Sequence, residues 1–208
     1  MTVLGRIDPP WDQRLARILV RPLIATPVTP NQVTTVSLLF GLACFAGYAA
    51  GGPWVHWAAG CYMAAAFIDH MDGELARATG RTSRFGHLYD NVVGGINYFA
   101  LFFGMGLGLA DGPYGAWAVL AGVAAGVAVA FIVSVRLELE RRQGKTAIDQ
   151  PNLAGFEIED ILYVVGPVTW FGSHDVFVLL AGVGAPAFMA WQVWQFARHR
   201  RAPKEMPG

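Results

Sequence analysis

The chain has almost no cysteine and little charge. Of its 208 residues only two are cysteines and 14% are charged, against 54% that are hydrophobic. Both cysteines, Cys44 and Cys61, fall inside apolar stretches, which excludes a disulfide framework or a cysteine-ligated metal site. So few charges do not cover the surface of a soluble domain of this size, and the apolar runs need lipid around them. Lysine and arginine are missing altogether from three connecting regions, Gly51 to His56, Asp111 to Gly112 and Gly172 to Asp175. A continuous apolar run is also missing from the N-terminal stretch, which Arg14, Arg17 and Arg21 interrupt, so no signal peptide is expected. With no internal repeat, low-complexity tract or long linker, one domain is expected over residues 1–208, and no nucleic-acid partner.

The apolar segments run from Val33 to Ala50, Trp54 to Phe67, Val92 to Ala110, Tyr114 to Val135, Ile161 to Phe171 and Val176 to Phe196. Most approach the ~20 residues that span a bilayer as a helix. The fold class expected is therefore all-α integral membrane, a bundle of six transmembrane helices over residues 31–198 with a tail at 199–208. With six spans, all fifteen Lys and Arg residues fall on one side, which places both termini and that face in the cytoplasm of a multi-pass cell-membrane protein. In the N-terminal arm, residues 1–30, Trp11, Leu15, Ile18 and Leu19 share one helical face opposite the arginines. That pattern suits an amphipathic helix lying in the interface; the alternative is a solvated arm.

Against this background the stretch FIDHMDGELARATGRTSRFGHLYDNVVGG, Phe67 to Gly95, is unusual. Charge near the hydrocarbon is expensive, about 2.5 to 3.5 kcal/mol per residue on insertion scales, so acidic groups there tend to serve a function. Asp69 and Asp72 are three apart and share a helical face, while Gly86, Asp90 and Gly94 recur every four residues on the next helix. The short link between those helices makes them antiparallel, so Asp90 can face the other two. Three converging carboxylates call for a cation, and hard oxygen ligands without an accompanying His/Cys cluster favour Mg²⁺ or Mn²⁺, held together with substrate phosphate. His70 lies off the Asp69/Asp72 face and, with His87, reads as an interfacial residue. Alternatively the aspartates pair with Arg77, Arg81 and Arg84 and merely cap the hairpin.

The spacing resembles the signature of the CDP-alcohol phosphotransferase family, D-x-x-D-G-x-x-A-R, eight residues, then G-x-x-x-D-x-x-x-D. Asp69, Asp72, Gly73, Ala76, Arg77, Gly86 and Asp90 match seven of its eight positions. Thr29-Pro30-Asn31-Gln32-Val33-Thr34 is similar to the P-N-x-x-T opening of these enzymes. The resemblance implies an integral-membrane transferase of phospholipid or related lipid biosynthesis. It would move a phosphate-linked group from a CDP-linked donor, CDP-diacylglycerol or another CDP-alcohol, to an acceptor and release CMP. It further implies that Asp69, Asp72 and Asp90 hold the metal and that Gly73 and Ala76 leave room for the nucleotide. Arg77, Asn31 and Thr34 would contact the CDP group, and Gly86 would allow close helix approach. Family members are typically homodimers, for which Gly104/Gly108 and Gly122/Gly126 offer small faces; contacts inside one subunit are the alternative use of the same glycines.

The eighth position departs from the pattern, because Gly94 stands where the family has its fourth aspartate. That aspartate is tied to metal binding and to acceptor activation, a contribution worth about 10² to 10⁴ in rate. Glu157 and Asp160 in GFEIED, three apart on one face, are candidates to replace it; helix N-terminal charge preference explains them equally well. Alternatively the acceptor brings its own ionised nucleophile, or the protein is a non-catalytic binding scaffold of the same fold. Arg136, at the cytoplasmic end of a span, would meet an anionic acceptor or else be a snorkelling anchor. A transporter is the third class, disfavoured because the aspartates sit near the cytoplasmic boundary rather than at mid-membrane.

Overall fold

The computed structural model describes residues 11–143 and 163–201, and within them every regular element is a helix. The order is α1 (Trp11–Leu19), α2 (Arg21–Ile24), α3 (Pro30–Ala50), α4 (Trp54–Thr79), α5 (Arg84–Gly108), α6 (Ala116–Gln143), α7 (Val165–Trp170) and α8 (His174–Arg201). Among the described residues, four stretches are long and apolar enough to cross a membrane: Pro30–Ala50, Arg84–Gly108, Ala116–Arg136 and His174–Trp194. The 26-residue α4 has the length, but its second half carries Asp69, His70, Asp72, Glu74 and Arg77. The fifth apolar segment is described only from Tyr163 onward.

The helix boundaries follow from local chemistry. Thr29 caps α3 in a reciprocal box: Gln32 N donates to Thr29 Oγ1 (3.4 Å) and Thr29 N donates to Gln32 Oε1 (2.8 Å), with Pro30 in the first turn. Helix α4 ends at Gly80, whose φ of 67° is the left-handed conformation that glycine adopts without strain. Three residues later Ser83 caps α5, accepting from Gly86 N at 2.9 Å. This tight link turns the chain back on itself, as its length predicts.

The packing differs from a simple α4–α5 pair. Helix α4 lies chiefly against α3, and α5 lies against both α3 and α6, while α4 and α5 touch each other little, so a gap remains between them with α3 as its floor. Side chains fix that arrangement deep in the bundle, where Asn97 Nδ2 donates to Ser37 Oγ (3.0 Å) and Ser37 Oγ donates to the Ala65 carbonyl (2.9 Å). One chain of hydrogen bonds thus crosses α5, α3 and α4. Beyond it the core is apolar and aromatic, with Tyr48, Tyr62, Leu101, Phe102 and Met105 sealed from solvent.

Glycines bring the backbones together there. A Cβ at Gly104 would lie 2.9 Å from the Phe45 carbonyl oxygen, one at Gly108 would strike the Tyr48 carbonyl, and one at Gly122 would strike the Phe102 carbonyl. At Gly126 it would come within 3.0 Å of Phe99 Cα. The two small-residue pairs therefore serve α3–α5 and α5–α6 contacts inside one subunit, the second of the two uses considered for them.

The outer faces are those of a membrane protein. Leu180 and Val183 of α8 are 69% and 74% exposed, and Trp54, Trp57, Trp117 and Trp170 cluster at the end of the bundle away from Arg77, Arg81 and Arg84. Helix α1 is not a free arm. Ala16 and Val20 are buried, Val20 packing with Val33 and Leu75, while Leu15, Ile18 and Leu19 point outward.

Candidate functional site

At the basic end of the bundle, α4 presents Asp69 and Asp72 and α5 presents Asp90, across the gap left between these helices. One carboxylate oxygen from each lies within 4.8 Å of the others. Ionised carboxylates at that range repel by roughly 3 to 4 kcal/mol per pair at an effective dielectric near 20. Folding brings them together nonetheless, because each is fixed by its own helix and the helices are fixed by α3. Asp72 is buried, and its Oδ2 accepts a short hydrogen bond from the buried hydroxyl of Thr34, one turn into α3. The donor set is all hard oxygen. His70 Nδ1 donates to the Ala66 carbonyl of its own helix at 2.8 Å. Three convergent carboxylates without cysteine or imidazole fit a hard divalent cation such as Mg²⁺ or Mn²⁺.

Beside the carboxylates is a cleft of about 100 Å³, floored by the start of α3 and walled by α4 and α5. Asn31, Thr34, Asp72, Gly73, Ala76, Arg77, Gly86 and Asp90 all line it. Its volume is below the ~300 Å³ of a small-molecule pocket and has room for a group about the size of a phosphate.

The glycines of the motif have distinct local reasons. A Cβ at Gly86 would come within 3.2 Å of Asn31 Oδ1 and 3.1 Å of Ser83 Oγ, so glycine lets the start of α3 approach α5. At Gly73 the neighbour is the Arg77 guanidinium, 3.4 Å from the Cβ position to Nη1. That is an ordinary van der Waals contact with the end of a flexible side chain, so the Gly73 face stays open on the cleft lining. Gly94 has nothing within 4 Å of its Cβ position. A Cβ would fit there without displacing any described residue.

Two of the basic residues considered for a hairpin cap have hydrogen-bond partners other than the aspartates. Arg77 Nη2 pairs with Glu74 Oε1 at 3.0 Å, and Arg81 Nη1 donates to the Val28 carbonyl at 3.3 Å. Arg17 of α1 reaches the same Glu74, Nε to Oε2 at 3.3 Å and Nη2 to Oε1 at 3.4 Å.

Of the residues singled out from sequence, Asp69, Asp72, Asp90, Gly73, Ala76, Arg77, Gly86, Asn31 and Thr34 meet in one place. Arg136 lies half-buried on α6 and is not part of the cleft lining. Glu157 and Asp160 lie outside the described residues. Sequence reasoning missed Glu74 and Arg17. The signal was available, since Glu74 precedes Arg77 by three residues and falls within the apolar-facing register of α4.

A model of the CDP-alcohol phosphatidyltransferase family matches residues 27–194. Among curated proteins, the archaetidylinositol phosphate synthase of Pyrococcus horikoshii is 36% identical over 108 residues, 51% of this chain and 55% of that protein. The match thus spans about half the length of that relative.

Proposed function

The chain belongs to the CDP-alcohol phosphatidyltransferase family, and from that premise we propose a metal-dependent membrane transferase of phospholipid or related lipid biosynthesis. It moves a phosphate-linked, phosphatidyl-type group from a CDP-linked donor, CDP-diacylglycerol or another CDP-alcohol, to an acceptor and releases CMP. The observation that carries this reading is the convergence of Asp69, Asp72 and Asp90 within 4.8 Å beside a cleft lined by the rest of the motif.

In this reading the acceptor oxygen attacks the phosphorus bearing the transferred group, and the bond to the CMP phosphate breaks. Asp69, Asp72 and Asp90 would hold Mg²⁺ or Mn²⁺, which when bound would offset the negative charge of the donor diphosphate and of departing CMP. Thr34 fixes the rotamer of Asp72. Arg77 and Asn31, both on the cleft lining, would contact the CDP group, and Gly86 keeps the start of α3 close to α5. Acceptor activation is atypical because Gly94 provides no carboxylate, and Glu157 or Asp160 supplies it instead. The relative named for archaetidylinositol phosphate supports a phosphorylated acceptor, which Arg136 would meet through its charge.

The same reading takes α4 and the segment ending in α7 as the remaining two of six spans, α1 as an interfacial helix, both termini as cytoplasmic and the protein as a homodimer. Outward-facing Leu15, Ile18 and Leu19 support the interfacial placement of α1.

CMP release from CDP-diacylglycerol by purified protein, with inositol phosphate and glycerol phosphate among the acceptors, tests the assignment. Product should require a divalent ion and vanish when Asp69 and Asp90 are both changed to asparagine. Product formation untouched by that double change would reject the transferase. The open space at Gly94 favours one second reading, a non-catalytic scaffold that binds a CDP-linked ligand, and it predicts donor binding with no CMP released for any acceptor.

A further inference from the structure

Glu74 occupies one of the two unspecified positions of the D-G-x-x-A-R stretch, yet it is among the few buried charged residues described, 6% exposed. Its two partners are not buried: the Arg17 and Arg77 side chains are 56% and 62% exposed. A shielded carboxylate therefore sits between two guanidinium groups that have water available to them. Arg17 grips both of its oxygens and Arg77 shares Oε1. Isolated exposed ion pairs contribute little, but a buried acid between two cations is costly to leave unpaired, so this arrangement holds its members in place.

What it holds is one of the cleft's two arginines, Arg77, the other being Arg81. Arg77 lies on the cleft lining with Asp72 and Asp90, its guanidinium folded back over Gly73. A free arginine so near those carboxylates would turn toward them and compete for their oxygens. Glu74 offers a closer partner one turn back along the same helix. The trio of Glu74, Arg17 and Arg77 retains one net positive charge, available to a phosphate group at the cleft.

We propose that Glu74 is a positioning residue: it holds Arg77 at the edge of the cleft to receive the phosphates of the donor, and through Arg17 it ties that position to the seating of α1. The inference rests on the CDP-linked donor assigned above. It gives α1 a role in the site that its distance in sequence conceals. Helix α1 sits on α4 through Ala16 and Val20 with its apolar side chains turned outward, so its placement at the bilayer surface bears directly on Arg77.

The test is a double-mutant cycle read by titration of full-length protein in detergent with CDP-diacylglycerol and Mg²⁺. Glu74→Gln should weaken binding ~10-fold in the wild-type background and less than ~2-fold in an Arg77→Ala background, since its effect passes through the arginine. Arg17→Ala, a change at an exposed side chain, should weaken binding ~3-fold, and Arg17→Lys should recover part of that loss. An equal loss from Glu74→Gln with and without Arg77 would overturn the inference, showing that the glutamate acts through the fold. Unchanged donor affinity in Glu74→Gln would overturn it as well, leaving the donor assignment intact. A wild-type protein that binds no CDP-linked donor would overturn both.

Discussion

Thr34 and Asp72, 38 residues apart in sequence, share a hydrogen bond sealed from solvent at the junction of α3 and α4. It links the opening of α3 to a carboxylate of the acidic cluster. Thr34→Val preserves shape but strips the donor from a buried oxygen, at a cost of about 1 to 3 kcal/mol. Metal affinity should fall ~10-fold or more, while Thr34→Ser should stay near wild type. Mn²⁺ titration followed by electron paramagnetic resonance reads this directly, and equal affinities for the valine and serine variants would reject the role given to the hydroxyl.

Deeper in the bundle, the Asn97–Ser37–Ala65 chain sets the separation of α4 and α5. Interhelical hydrogen bonds in membrane proteins contribute about 0.6 kcal/mol on average and up to about 1.7. Asn97→Ala should accordingly lower the thermal unfolding midpoint in detergent and widen the gap above it, so that metal affinity falls alongside stability. An Asn97→Ala protein with normal stability would mean that α3 packing alone fixes the helix spacing.

Two glycines should respond in opposite ways. Gly94 has open space at its Cβ position, whereas a Cβ at Gly122 would strike the Phe102 carbonyl. Gly122→Ala should destabilise the fold by about 1 to 3 kcal/mol through overpacking. Gly94→Asp should fold normally and, by adding a base next to Asp90, raise CMP release with neutral alcohol acceptors. Loss of folded protein on Gly94→Asp, or no gain with any alcohol, would contradict the account of that position.

Much of the site was legible in the sequence because spacing on a helix is a rigid ruler. Asp69 and Asp72 share a face by being three apart, and the brief Gly80 to Ser83 link brings Asp90 opposite them. The apolar segments also announced the helices, although α6 runs on to Gln143 and α8 to Arg201, past the apolar stretches and into their basic flanks. Sequence did not reveal that α3 lies beneath both α4 and α5, because a short hairpin implies contact between its helices and says nothing of a third. Nor did it reveal the Arg17–Glu74 contact, which spans 57 residues and depends on how α1 seats on α4. The glycine pairs were ambiguous for a related reason: a small-residue face records that a backbone comes close, not whose.

The central claim is that Asp69, Asp72 and Asp90 form a divalent-metal site for a CDP-linked donor. Isothermal titration of purified protein with CDP-diacylglycerol and with CDP-choline, with and without Mg²⁺, comparing wild type with Asp90→Ala, tests it most directly. One donor should bind only with the metal, and Asp90→Ala should abolish that dependence. Donor binding that is indifferent to Mg²⁺ and unchanged in Asp90→Ala would contradict it.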